Sequence, residues 1–128
     1  MQKAGGEHIL TGAVLCFPAS WRLDEKFMRP LTGIHVPVGS YDDQVAKRVQ
    51  RLFDGVRPGR PLWRFNGLWY DDATLYHPRS IHDRRDHPEP GQARFLRSER
   101  QSILRLPDTG AVIFGIHTYI VRRGAPLG

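Results

Sequence analysis

Residues 94–121, which read RFLRSERQSILRLPDTGAVIFGIHTYIV, decide the fold. Apolar and polar residues alternate in parts of 94–106, a pattern typical of a β-strand. Residues 107–110 are turn-forming types, and residues 111–121 are rich in the Thr, Tyr, Ile and Val of strands. The stretch therefore predicts two long strands joined by a tight turn.

Upstream of this hairpin, the sequence predicts a third long strand over residues 61–70 and one main helix. Ser40 is a suitable N-cap, and Gly55 with residues 58–59 would end the helix. Apolar residues recur at the helical spacing i, i+4, i+7, i+8 and i+11, at Val45, Val49, Leu52, Phe53 and Val56. Residues 8–17 predict a first strand that Pro18 ends, and residues 71–90 predict a long polar loop rich in His and Pro.

Together these elements predict an α+β fold, in which one main helix and loops pack against an antiparallel sheet that ends in a three-strand meander. A length of 128 residues is typical of one domain. We therefore expect residues 1–128 to form a single domain that includes the 71–90 loop.

The charge balance narrows the classes of partner. The chain has 19 Lys+Arg and 13 Asp+Glu, a formal net charge of +6, which favours anionic partners. The basic residues are scattered and accompany no DNA- or RNA-binding motif, so a nucleic-acid partner is not expected. No apolar run reaches the roughly 20 residues of a membrane span. Because no apolar stretch follows Lys3, we expect no secretory signal and a cytoplasmic location.

Several side chains could bind a metal. His35 lies between Ile34 and Val36, so it is either a core histidine or a ligand held in a dry pocket. Cys16, the single cysteine, is expected to be a small buried hydrophobe, with iron ligation left open. Histidines also follow one another every five residues in the polar loop, at 77, 82 and 87, where we expect a solvated segment.

Several segments, in this order and spacing, are similar to one family. They are CFPASWRLDEK at 16–26, RPL at 29–31, IHVPV at 34–38, RPGRPLWR at 57–64, FLRSERQSILRLP at 95–107, GAV at 110–112 and TY at 118–119. This pattern resembles the haem-dependent oxidative N-demethylase family, whose haem domain has a PAS-like fold. The chain would be a shortened member or a fragment of one. It departs from the family pattern at residues 66–67, Asn-Gly instead of Asn-Trp, and at residues 39–40, Gly-Ser instead of Pro-Gly.

The resemblance implies haem b and O2-dependent demethylation of a small secondary amine such as dimethylamine. It further implies a flavin and iron–sulfur reductase as electron donor and a tetrahydrofolate-linked partner as formaldehyde acceptor. His35 becomes the first choice of axial iron ligand, with Cys16 and His117 as alternatives.

The resemblance also identifies residues 99–101 as part of the family's signature strand. From charge we infer that Glu99 holds a protonated amine and that arginines pair with the haem propionates. The arginines in question are Arg64, Arg97 and Arg100.

Three functions stay open at this point. The first is a haem monooxygenase of the N-demethylase type, and the second is a non-catalytic PAS-like module that senses or binds haem or a small ligand. The third is a structural core without a cofactor that dimerises through an exposed strand edge.

Overall fold

The computed structural model describes residues 1–35, 43–83 and 91–125. Its elements are β1 Gln2–Ala4, β2 Glu7–Ile9, α1 Leu31–His35, α2 Asp43–Gly55, β3 Leu62–Tyr70, β4 Phe95–Arg105 and β5 Val112–Arg122. The three long strands form an antiparallel sheet in the order β3-β4-β5, and β1 pairs with β2 in a separate ribbon. The α+β class and the C-terminal three-strand meander are thus confirmed.

The central strand β4 has two chemically different faces because successive side chains point to opposite sides of a sheet. Its odd-numbered residues, with their cross-strand partners, form what we call the inner face, which packs against the N-terminal half of the chain. Its even-numbered residues and their partners form the outer face. The register sets Glu99 between Asn66 of β3 and Thr118 of β5 on the inner face, and Arg100 between Phe65 and His117 on the outer face.

A tight turn joins β4 to β5, as the residue types predict. The backbone N–H of Leu106 donates to Ala111 O at 2.9 Å, and that of Gly110 donates to Leu106 O at 3.1 Å. Gly110 has φ +67°, a left-handed conformation that glycine adopts without a Cβ clash.

The core lies where α1 and α2 meet one end of the inner face. Its fully buried members are Leu31, Phe53, Val56 and Val112. The predicted helix is confirmed as Asp43–Gly55, while its predicted N-cap, Ser40, lies outside the described residues. Leu52 was expected on the apolar face of this helix but is 50% exposed. The helix buries the side that carries Val49 and Phe53, and Leu52 lies at the rim of that side.

Arg105, on the inner face at the end of β4, ties the main helix to the sheet. Its Nε donates to Val56 O at 2.8 Å, and its Nη2 donates to Phe53 O at 2.7 Å. Its Nη1 donates to Gly110 O at 2.6 Å in the β4–β5 turn. The carbonyl groups at the end of a helix lack partners within the helix. The guanidinium therefore supplies hydrogen bonds that the C-terminus of α2 cannot make for itself.

His8 of β2 is 1% exposed and packs on the ring of Phe53, with ring centroids 5.4 Å apart. The His8 backbone N–H donates to Gln50 Oε1 at 3.2 Å, so the Gln50 amide nitrogen faces His8 Nδ1, 2.9 Å away. Nδ1 therefore accepts, and the imidazole is neutral with its proton on Nε2. Burial lowers the pKa of His8, against the negative charge of Asp54, which raises it.

The predicted strand over residues 8–17 is wrong for most of its length. Only Glu7–Ile9 is a strand, and it pairs with Gln2–Ala4. Beyond it, Leu10 exchanges backbone hydrogen bonds with residues 28–29, and Cys16 is exposed rather than buried. An apolar run alone does not distinguish a sheet strand from an extended segment that crosses the surface.

We predict that Arg105→Met lowers the free energy of unfolding by about 3 kcal/mol, because the carbonyl groups of Phe53, Val56 and Gly110 lose a charged donor. Denaturant unfolding measures this. Arg51→Met, on the exposed side of α2, is the matched control and should stay within about 0.5 kcal/mol of the wild type. Equal effects of the two substitutions would contradict the role given to Arg105.

We also predict that stability falls as pH drops below about 6.5, the ordinary histidine pKa. The unfolded chain protonates His8 near that pH, whereas the folded chain does so only at lower pH, so protons favour unfolding in between. Below the folded-state pKa the loss levels off. Thermal or denaturant unfolding between pH 7 and 5 should show a shallower slope for His8→Gln than for the wild type; identical slopes would refute the assignment.

Candidate functional site

The inner face carries three of the five residues that the sequence singled out for a site: Arg64 on β3, and Arg97 and Glu99 on β4. His35 ends the short helix α1, close enough to Arg64 for the positive charge of the guanidinium to lower the pKa of the imidazole. The structure places the fifth, Arg100, on the outer face, because it follows Glu99 on a strand whose side chains alternate.

His35 is oriented by its own helix. Its Nδ1 lies 2.8 Å from Leu31 O, one helical turn earlier. Because a carbonyl only accepts, Nδ1 carries the proton, and this tautomer puts the imidazole lone pair on Nε2. Lys26 holds the end of the same helix by donating from Nζ to Ile34 O at 2.8 Å.

The surroundings keep His35 neutral. Burial lowers its pKa most, and the positive charges of Lys26 and Arg64 lower it further, against the hydrogen bond to Leu31, which raises it. Burial also lowers the pKa of the Lys26 ammonium, partly offset by Glu25. The imidazole is therefore a neutral, half-buried group with two cations nearby.

Arg64 is exposed on β3 at the register position opposite Gln101. Its Nε donates to Gln101 Oε1 at 2.9 Å. This hydrogen bond uses the Nε–H group of the guanidinium and orients the side chain. The terminal nitrogens of an arginine held in this way can pair with a carboxylate or a phosphate.

Glu99 lies between two donors in the middle of the inner face. Arg97 Nε lies 3.3 Å from Glu99 Oε1, and Asn66 Nδ2 lies 3.3 Å from Glu99 Oε2. The carboxylate side chain is 12% exposed. Each oxygen retains a second acceptor position, so a further donor could bind to Glu99 without displacing either neighbour.

Arg97 is the most deeply buried charged residue of the group, at 3% exposure. Its Nη1 donates to Leu75 O and its Nη2 to Phe17 O, both at 2.8 Å. These bonds attach two irregular segments of the chain to the sheet. The Glu99 carboxylate supplies the opposite charge that a buried guanidinium requires.

Around these polar groups, the inner face carries large apolar side chains that are partly open to solvent. Four of them are between 40% and 43% exposed: Leu62, Leu68, Phe114 and Ile116. They come from both edge strands and flank the row that contains Asn66 and Glu99. The site is therefore an apolar floor with a carboxylate at its centre, and His35 lies near its Arg64.

The other candidate ligands lie elsewhere. His117 is on the outer face, where its ring packs against Tyr119 with centroids 4.6 Å apart. His77 is not in a purely solvated loop as expected, since its backbone bonds to Pro18 and Ser20. His82 is exposed, and His87 lies outside the described residues. Within the described ranges, no group of three or more His, Cys, Asp or Glu side chains could hold a metal ion.

A separate hollow of about 320 Å³ lies between the 15–24 segment and the start of the polar loop. None of the predicted site residues lines it. The residues around it are Leu15, Pro18, Trp21, Arg22, Leu23, Asp24, Tyr76 and Pro78.

The sequence alone assigned no role to three residues of the inner-face site. Asn66 and Gln101 bind site residues across the strands, and Lys26 holds the helix that carries His35. The contacts of Asn66 and Gln101 follow from the register between β3 and β4. The turn that joins β4 to β5 sets the register of those two strands but not that of β3. The contact of Lys26 with Ile34 O depends on the path of the irregular segment that precedes α1, and no local sequence pattern predicts that path.

Comparisons with known proteins identify the family of the chain. A search of curated proteins found no match to the chain. A family model described as haem-dependent oxidative N-demethylase, alpha subunit-like, matches residues 1–123. In the part of the chain that the structure describes, no helix is long and apolar enough to cross a membrane. Since the family match covers nearly the whole length, the chain belongs to the haem-dependent oxidative N-demethylase alpha subunit-like family.

Proposed function

We propose that the chain binds haem b against the inner face, with His35 as the axial ligand, and that it catalyses O2-dependent demethylation of a small secondary amine such as dimethylamine. The observation that carries this proposal is the state of His35. It is neutral, half-buried, held by a backbone carbonyl and near Arg64, which lies on the same face of the sheet as Glu99.

The residues present fit a haem group. Histidines that ligate metals almost always donate their other ring N–H to a carboxylate, a backbone carbonyl or water, as His35 does to Leu31. The exposed apolar side chains Leu68, Phe114 and Ile116 offer a surface that a porphyrin could cover. Arg64, directed by Gln101, is suited to a propionate. Arg97 donates to carbonyl groups inside the protein, so a propionate contact for Arg97 stays a prediction. A propionate contact for Arg100, on the outer face, would require haem on that face.

In this mechanism the haem, when bound, supplies the O2 chemistry, and the protein sets the ligand, the polarity and the access. Glu99 would hold the ammonium form of the amine through a charge-assisted hydrogen bond. Asn66 holds the Glu99 carboxylate by a hydrogen bond, and the positive charge of Arg97 offsets the negative charge of Glu99. The apolar floor would limit the water around the bound methyl groups.

A second function, a non-catalytic PAS-like module that senses haem or a small ligand, is favoured by one observation. Both oxygens of Glu99 already have donors, and Arg97 neutralises the carboxylate. Such a carboxylate attracts a cation less than an unpaired one does. A module of this kind would bind haem without an amine-dependent response.

The remaining partners rest on the family resemblance. We propose O2 as co-substrate, a flavin and iron–sulfur reductase as electron donor, and a tetrahydrofolate-linked protein that takes up formaldehyde. We also propose a cytoplasmic location.

We predict that His35→Ala weakens haem binding roughly tenfold or more, since the ligand and its orienting hydrogen bond are lost together. Titration with haem, followed by visible spectra in the oxidised, reduced and carbon monoxide-bound states, measures this. Added imidazole should restore the nitrogen-ligated spectrum of the variant.

His117→Ala is the matched control, because His117 is the alternative histidine on the opposite face. It should leave the haem spectrum unchanged. An unchanged spectrum for His35→Ala, or a loss of binding for His117→Ala, would contradict the assignment, and a strongly red-shifted carbon monoxide band would assign the ligand to Cys16.

We predict that Glu99→Gln weakens the amine-dependent change of the haem spectrum by about 10- to 100-fold, because a charged hydrogen bond contributes about 1.5–3 kcal/mol. Haem affinity should stay within a few-fold, since the amide oxygen can still accept from Arg97 Nε. Formaldehyde release in the presence of a reductant tests turnover. A haem-loaded wild type that responds to no amine would contradict the enzyme and favour the binding module.

A further inference from the structure

Helix α1, which carries His35, is too short to be stable through its own hydrogen bonds. It has five residues, and isolated helices shorter than about 12 residues are marginal in water. Gly33 in its interior weakens it further, because glycine loses more backbone entropy in a helix than any other residue. The direction of the His35 side chain therefore depends on contacts between α1 and the rest of the chain.

Lys26 makes one such contact at the end of α1 next to His35. Its Nζ donates to Ile34 O at 2.8 Å. This carbonyl group belongs to the peptide bond between Ile34 and His35 and lies in the last turn, where carbonyl groups lack partners within the helix. A lysine side chain can supply the missing donor at this end. Because the peptide group is planar, holding Ile34 O also holds the plane from which His35 extends.

The surroundings of the Lys26 ammonium group direct it toward this carbonyl. The ammonium lies over the Trp21 ring, 5.4 Å from the centroid, within the range of a cation–π contact. The carboxylate of the neighbouring Glu25 accepts hydrogen bonds from another segment, from Ser80 Oγ at 2.6 Å and from the Ile81 backbone N–H at 3.1 Å. The ammonium group is thus held between an aromatic ring and a backbone carbonyl.

The positive charge of Lys26 also acts on the His35 imidazole. Burial lowers the pKa of His35 most, and the charges of Lys26 and Arg64 lower it further. With Nδ1 bonded to Leu31 O, the atom that these charges disfavour for protonation is Nε2. The same electrostatic repulsion disfavours added positive charge on a metal ion bound at Nε2. For iron at that position, the Lys26 charge favours the ferrous over the ferric state.

We propose that Lys26 is a positioning residue for His35. Through Ile34 O it keeps α1 folded and the imidazole bonded to Leu31 O, which leaves Nε2 free for iron, and its charge favours ferrous iron at that atom. This role rests on the proposed function, in which His35 is the axial ligand, and it requires no contact between Lys26 and haem.

Haem-free protein tests the positioning through three variants. Lys26→Met removes the charge and the donor but keeps a side chain of similar shape, and Lys26→Arg keeps both. Lys47→Met, on the exposed side of α2, is the matched control for the lost charge. All three should give the circular dichroism spectrum of the wild type.

Lys26→Met should speed amide hydrogen exchange of Ile34, whose N–H donates to Pro30 O, by about tenfold, the loss expected for a hydrogen bond from a charged donor. Nitrogen NMR spectra of the imidazole should show more of the Nε2-protonated tautomer of His35. Lys26→Arg and Lys47→Met should stay within about twofold of the wild type in the exchange rate. Equal exchange rates and tautomer populations in Lys26→Met and Lys47→Met would overturn the positioning.

Haem-loaded protein tests the effect of the charge. Lys26→Met should weaken haem binding by about tenfold and shift the ferric/ferrous midpoint potential downward, and Lys26→Arg should restore both. A contact that only stabilised the fold would leave the potential of the bound haem unchanged, so an unchanged potential in Lys26→Met would overturn the charge effect. A wild type that binds no haem would contradict the proposed function, and the haem-free measurements would still decide whether Lys26 positions His35.

Discussion

The structure depends on guanidinium groups that point inward from one strand and bind backbone carbonyl groups. Arg97 and Arg105 of β4 reach four separate segments of the chain: residues near Phe17, near Leu75, the end of α2 and the β4–β5 turn. The described chain has few fully buried apolar residues. Hydrogen bonds from these charged donors therefore supply cohesion that a small core does not.

The sheet could be predicted well from sequence, because its evidence is local. Alternation identified β4, turn-forming residue types identified the hairpin, and helical spacing identified α2. The N-terminal half could not be predicted in the same way. Its two ribbon strands have three residues each, and the segment after Ile9 is held by single bridges to residues 28–30. Such contacts join residues about 20 positions apart and leave no periodic pattern.

The candidate site was predictable as a set of residues but not as an arrangement. Because successive side chains of a strand point to opposite faces, the sequence already implies that Glu99 and Arg97 share a face and that Arg100 lies on the other. The sequence could not say which face of the sheet would lie near His35, since that depends on how α1 packs against β2 and α2. Asn66 joins the site only through the β3–β4 register. Arg97 is buried by the irregular segments that contain Phe17 and Leu75, and no sequence pattern predicts the path of these segments.

The pairing of Glu99 with Arg97 has a consequence for how the protein could respond to a ligand. Both groups belong to one strand, yet the guanidinium also holds the carbonyls of Phe17 and Leu75. A cation that draws Glu99 toward itself leaves the buried positive charge of Arg97 compensated by those carbonyl dipoles alone. Binding of a cation at Glu99 would then alter the hydrogen bonds from Arg97 to these two segments. The rate of amide hydrogen exchange near Phe17 and Leu75 would therefore change when a ligand binds at the centre of the sheet.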